Sequence, residues 1–183
     1  MKKNLQDYIA IYKAIDSLVC KQIIENCNKN QWDKHTYNDP ITQEFKTYED
    51  DLEITYQNKN TDYLNNKIKD CVNNYLINVV PNFFQLQEIS TIRFNRYQVG
   101  TNMKMHHDHI HTLFDGEKKG VPILSILGLL NDDFEGGDFL MFDSKKVNLS
   151  AGDIILFPSN FLYPHAVTTV TKGTRYSFIS WGF

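Results

Sequence analysis

With 183 residues, 42% hydrophobic and 22% charged, the chain is long enough for one domain with a real core and too well balanced to be disordered. A formal charge of −3 leaves no basic stripe and argues against a nucleic-acid partner. Cys20, Cys27 and Cys71 are odd in number and form no CxxC pair, and the start MKKNLQDYIAIYK lacks the apolar run of a signal peptide or membrane span. These features lead us to expect reduced thiols, no membrane association and a cytoplasmic location.

In chain order, Leu18, Val19, Ile23 and Ile24 fall at helical spacing behind Asp16 or Ser17, which predicts a helix over 16–28. Leu64, Ile68, Cys71, Val72, Tyr75 and Leu76 predict a second over 61–79, with Thr61 or Asp62 as its cap and Pro81 just past its end. The stretch between the helices, QWDKHTYNDPITQEFKTYEDDLEITYQN, reads as strands and loops. After Pro81 the period changes. Segments 89–97, 121–131, 137–142, 153–158, 165–171 and 174–183 are β-branched or aromatic and bounded by turn signals such as Gly136-Gly137 and Lys172-Gly173-Thr174. The expected fold is α+β, mainly β, and a single domain over 1–183. In it a double-stranded β-helix (jelly roll) over 89–183 is supported by helical and irregular structure over 1–88.

Four of the six histidines lie between 106 and 111, in YQVGTNMKMHHDHIH. If 103–109 is extended, His106 and Asp108 share a face and His107 points away. A third ligand must come from elsewhere, and His165, in PSNFLYPHAV after the apolar strand DIILFP, is placed to supply it. Two histidines and a carboxylate on one side of a metal form the facial triad of non-haem Fe(II) sites, with the other side open for chemistry. Taken singly, an HxD in a polar segment is more often a solvated turn, and a histidine on an apolar strand more often a core residue. Arg175 follows His165 by ten residues, across a predicted hairpin at Lys172 and Gly173. On a strand returning beside His165 it would meet the far carboxylate of a metal-chelating dicarboxylate, although a lone strand arginine is more often a surface residue.

YQVGTNMKMHHD, LNDDFEGGDFLMF, AGDIILFPSN and PHAVTTVTKGTRYSFISW occur in this order over 92–183, about half of the chain. Together they resemble the prolyl 4-hydroxylase-like branch of the Fe(II)- and 2-oxoglutarate-dependent dioxygenases. The resemblance implies that His106, Asp108 and His165 bind iron and act in catalysis, and that Arg175 binds the distal carboxylate of 2-oxoglutarate, with Ser177 assisting. It further implies that Tyr97 lines the cosubstrate pocket and that Trp181 walls the substrate side. Where some relatives have a tyrosine before the Leu-Asn of the central strand, this chain has Leu129, so that second phenolic grip is missing. The implied cofactors are Fe(II), 2-oxoglutarate and O2, with ascorbate as accessory reductant. The implied reaction is hydroxylation of an unactivated C–H, first of a prolyl residue in a peptide or protein, or else of another side chain or a small molecule, with succinate and CO2 released.

His109 and His111 are candidates for supporting the ligands, and EFKTYEDDLEITY and 113–120 for covering the open face. Two competitors remain. A cupin-like metalloprotein shares the spacing of Gly100 and Gly152 but expects HxH and has no use for Arg175; a silent binding module on the same barrel would carry vestigial histidines.

Overall fold

In a computed structural model, residues 3–38, 44–47, 51–81, 85–108 and 120–183 are described. Before residue 90 they form β1 (Ala10–Lys13), α1 (Ser17–Cys27), β2 (Asp33–Lys34), β3 (Tyr37–Asn38), β4 (Phe45–Lys46), β5 (Glu53–Thr55) and α2 (Thr61–Asn78). Then come β6 (Arg93–Tyr97), β7 (Met103–His106), β8 (Leu124–Leu129), β9 (Glu135–Gly136), β10 (Phe139–Met141) and β11 (Lys145–Lys146). The chain ends with β12 (Asp153–Pro158), β13 (His165–Val167), β14 (Val170–Lys172) and β15 (Arg175–Gly182).

Two antiparallel sheets make the barrel. The larger runs β1-β12-β8-β15-β6-β5-β2, the smaller β11-β10-β13-β7, and β14-β9 forms a separate ribbon. Side chains alternate across each strand, so the large sheet contributes to two cores. On one face Leu127, Ile155 and Phe157 meet Met103, Phe139, Met141 and Val167 of the small sheet. On the other, Phe94, Ile126, Ile154, Leu156 and Phe178 receive the helices. Helix α1 starts where expected, with the Asp16 side chain accepting the Leu18 N–H at 2.8 Å, and buries Cys20, Ile23 and Cys27. Helix α2 buries Leu64, Ile68, Cys71, Val72 and Tyr75; each fully buried Leu, Ile or Val contributes roughly 1.5–3 kcal/mol. All three cysteines are unpaired, and burial pushes each thiol up to about 11. Among the described residues no helix is long and apolar enough to cross a membrane.

Three local expectations need correction. Neither Thr61 nor Asp62 caps α2: Asn60 occupies the cap position, because Asn58 has already turned the chain, its side chain accepting the Asn60 N–H at 2.9 Å and its carbonyl the Thr61 hydroxyl at 2.7 Å. Strand β1, too short to declare a period, extends the large sheet by pairing Ala10–Lys13 with β12. Finally, Arg175 is not on a strand returning beside His165. Both edges of β13 are already taken by β10 and β7, so after Gly173, which turns at φ 75°, the chain crosses to the large sheet, and β15 pairs with β6 and β8.

Gly128 lies opposite Phe178 across β8 and β15, and a Cβ there would sit 2.1 Å from the Phe178 ring, which is fully buried. Gly128→Ala is expected to lower unfolding stability by about 1–3 kcal/mol, and Phe178→Leu in that background to recover part of it, measured by denaturant melts. His35 is buried, with Nε2 3.0 Å from an Arg93 guanidinium nitrogen, and burial, then the charges of Arg93 and His106, bring its pKa down to about 3. Between pH 6.5 and 3 the unfolded chain therefore binds a proton that folded His35 refuses, so stability falls as pH drops through this window. His35→Gln, which keeps an acceptor for Arg93, is expected to flatten the pH dependence by up to about 1.4 kcal/mol per unit.

Candidate metal centre

The pairing of β7 with β13 sets His106 directly opposite His165, with ring centroids 4.3 Å apart. Strand β7 stops at His106, one turn of the pleat short of the expected extension, and Asp108 reaches the pair from the chain beyond it. Its Oδ1 lies 3.5 Å from His106 Nε2 and 3.7 Å from His165 Nε2. Among the described residues these three form a group whose ligand atoms all lie within 4.8 Å of one another; His107 is not part of it. His109, His111 and 113–119 lie outside the described residues, as do 48–50 of EFKTYEDDLEITY.

The orientation of each group is set by a second bond. His106 Nδ1 meets the Lys104 carbonyl at 2.8 Å and His165 Nδ1 the Tyr163 carbonyl at 3.1 Å. A carbonyl only accepts, so each Nδ1 carries a proton and each ring turns its Nε2 toward Asp108. The Ser125 hydroxyl donates to Asp108 Oδ2 at 2.6 Å, and Ser125 Oγ lies 2.8 Å from Ser159 Oγ. Phe139 and Phe157 flank the His165 ring at 5.6 and 5.0 Å. Burial acts to raise Asp108, but hydrogen bonding and charge from His106 and His165, with the Ser125 hydroxyl, hold it well below the usual carboxylate range. Burial depresses His165 to about 4 against the pull of Asp108, so at neutral pH it is an uncharged acceptor. Two imidazole Nε2 atoms and a carboxylate oxygen thus face one point. A cation is what satisfies all three, and nitrogen and oxygen donors on one side suit Fe(II).

Inside the same barrel, Arg175 is 1% exposed. One of its terminal nitrogens donates to Ser177 Oγ at 2.9 Å, its guanidinium carbon lies 5.0 Å from the centre of the Tyr97 ring, and its Nε has no partner among the described residues. No carboxylate pairs with it among the described residues. Burial lowers its pKa, with Tyr97 opposing, and burial raises that of Tyr97. Arg175 and Leu129 border a cavity of about 460 Å³ with Gly136, Gly137, Phe139 and Leu149. Gly137 (φ 60°) belongs here for a steric reason: a Cβ would stand 3.0 Å from Arg175 Cδ. The donors left over on a buried guanidinium fit a carboxylate.

Trp181 shares the inner face of β15 and pairs with Ser125, the residue that holds Asp108. It is half-buried, Arg93 stacks 5.3 Å over its ring, and its indole N–H is buried without a partner among the described residues. The barrel therefore brings Tyr97, His106, Asp108, His165, Arg175, Ser177 and Trp181 to its interior or rim. Ser125 and Ser159 were not anticipated. A serine inside the apolar run ILSILGLL was an available signal, since a polar group buried in such a run needs a partner.

The family model described as the 2OG-Fe(II) oxygenase superfamily matches residues 92–183. A PKHD-type hydroxylase of Idiomarina loihiensis is 32% identical over 106 residues, covering 56% of this chain and 46% of the relative. The chain spans about half the length, or less, of the curated relatives it matches. Two solved structures share the fold. A prolyl-4-hydroxylase of Pseudomonas putida is 17% identical with TM-score 0.67, covering 96% of this chain and 92% of that one. A Trichoplax adhaerens prolyl hydroxylase, in complex with a peptide fragment of the hypoxia inducible factor oxygen degradation domain, is 14% identical with TM-score 0.70, covering 97% and 84%. The match falls on the segment that carries the converging His106, Asp108 and His165 and the buried Arg175, on a jelly-roll fold: the chain belongs to the 2OG-Fe(II) oxygenase superfamily.

Proposed function

We propose that the protein is an Fe(II)- and 2-oxoglutarate-dependent oxygenase that hydroxylates an unactivated C–H, of a prolyl residue in a peptide or protein. The observation that carries this reading is the buried Arg175, paired with no carboxylate among the described residues, in the barrel that also holds the triad. An uncompensated buried charge is costly, so the site asks for an anion, and a cupin-like site makes no such demand. The prolyl substrate rests on the prolyl hydroxylases that share the fold, one of them with a peptide bound. The three buried, unpaired cysteines suit a reducing, cytoplasmic setting.

In this reading His106 Nε2, His165 Nε2 and Asp108 Oδ1 hold the metal, and their opposite atoms stay tied to the Lys104 and Tyr163 carbonyls and to Ser125. Bound iron supplies O2 activation, with one oxygen atom entering succinate as 2-oxoglutarate loses CO2 and the other entering the substrate C–H as hydroxyl. Arg175 and Ser177 grip the distal carboxylate of 2-oxoglutarate, and Tyr97 packs beneath the guanidinium. Phe139 and Phe157 exclude water from the His165 side. Trp181 offers the substrate an aromatic wall and an indole N–H. Ascorbate serves as accessory reductant.

Anaerobic titration with Fe(II) and 2-oxoglutarate is expected to give a weak visible charge-transfer band that His165→Ala abolishes. Arg175→Met is expected to raise the apparent KM for 2-oxoglutarate by about 10²–10³-fold, because the charge-assisted grip on a buried carboxylate is lost. Mass spectrometry of proline-containing peptides and of cell extract after turnover is expected to find a gain of one oxygen on proline that requires both iron and 2-oxoglutarate, with stoichiometric succinate. A gain on another residue or on a small molecule would keep the chemistry and replace the substrate. No succinate from a folded, iron-loaded sample would overturn the oxygenase reading in favour of a silent module.

A further inference from the structure

The two serines behind Asp108 have a defined direction. The Ser125 hydroxyl donates to Asp108 Oδ2 at 2.6 Å, which spends its single proton. The 2.8 Å contact between Ser125 and Ser159 must then be a donation from Ser159 to Ser125. Both serines are buried, at 0% and 1% exposure, on the two strands β8 and β12 or just beyond them. The Ser159 backbone is pinned to the same neighbourhood by its N–H donating to the Ile123 carbonyl at 3.2 Å. Hydroxyls lined up this way polarise one another, and the chain ends on the carboxylate oxygen that does not face the histidines.

We infer that Ser159 and Ser125 form a hydroxyl relay that holds Asp108 with a single oxygen presented to the metal. Both are positioning residues that act through Asp108. The inference rests on the proposed ligand role of Asp108 and adds to it. A carboxylate can bind a metal through one oxygen or two, and binding through both would close one of the positions that the cosubstrate and O2 require. With Oδ2 tied to Ser125, Oδ1 is the oxygen turned to the two histidines. Without Ser125, Oδ2 is buried with no donor and free to turn onto the metal.

The test uses Co(II) as a redox-stable stand-in for Fe(II), with its affinity read by calorimetry and its ligand geometry by d–d absorption, so that no turnover is involved. Wild-type protein should bind one Co(II), and Asp108→Ala should not. Ser125→Ala is expected to weaken Co(II) binding by about 10–100-fold and to change the d–d spectrum, as loss of such an outer partner does. Ser159→Ala should weaken binding several-fold, and the double variant should match Ser125→Ala alone, because Ser159 acts only through Ser125. Ser125→Thr, which keeps the hydroxyl, should restore the wild-type spectrum. Unchanged affinity and spectrum in Ser125→Ala, or additive losses in the double variant, would overturn the relay while leaving the metal site standing. Failure of folded wild-type protein to bind Co(II) would overturn the site and the relay together. Ser159→Ala removes only a hydroxyl next to an exposed loop and so keeps the cycle readable if Ser125→Ala proves unstable.

Discussion

The arrangement depends on one strand pairing. Four residues of β7 and three of β13 lie antiparallel in the small sheet with His106 opposite His165. Side chains opposite each other across a pair of strands stand on the same face, so this register alone puts both imidazoles on one side. A slip of one residue would turn one of them to the far face. The pairing is held from the other edge by β10, with Met141 opposite His165, and from within by the core of Met103, Phe139, Met141 and Val167. The packing that stabilises the small sheet is therefore also what sets the separation of the two Nε2 atoms.

The second constraint is that the groups differ in how they are made to stay charged or uncharged. His165 is kept neutral chiefly by burial, while Asp108 stays ionised because donors outweigh its burial. Arg175 is charged, fully buried and sandwiched between Tyr97 and Ser177, with only part of its donor capacity used. Each unsatisfied group would be a liability in a closed core. Gathered in one barrel they form complementary halves: acceptors in want of a cation, and a cation in want of an anion. The large sheet supplies the rigidity this needs, since its far face is packed by α1 and α2.

Much of this was legible from residue types and their order. The helices showed through their 3.6-residue stripes and the late strands through their turn residues; the HxD, the distant His165 and the Arg175 ten residues on stood out because such residues have few other reasons to recur in that order. The crossing of the chain from β13 to β15 was not legible. A turn at Gly173 looks the same in a sequence whether it closes a hairpin or passes from one sheet to the other, and only the prior occupation of both edges of β13 decides between them. Ser125 and Ser159 were hidden for a related reason: neither is near Asp108 along the chain, and a hydroxyl in a strand carries no sign of its partner.

By itself, then, the sequence determined the elements, the kinds of ligand atom and the family to which their order belongs, because periodicity and residue chemistry are local properties of the chain. Tertiary structure decided which atoms face one another. The opposition of His106 and His165, the reach of Asp108 past the end of its strand, the line of hydroxyls behind it and the sealing of Arg175 all depend on strand register and on which sheet edges remain open. These are set by packing between segments far apart in the chain, and no local pattern encodes them.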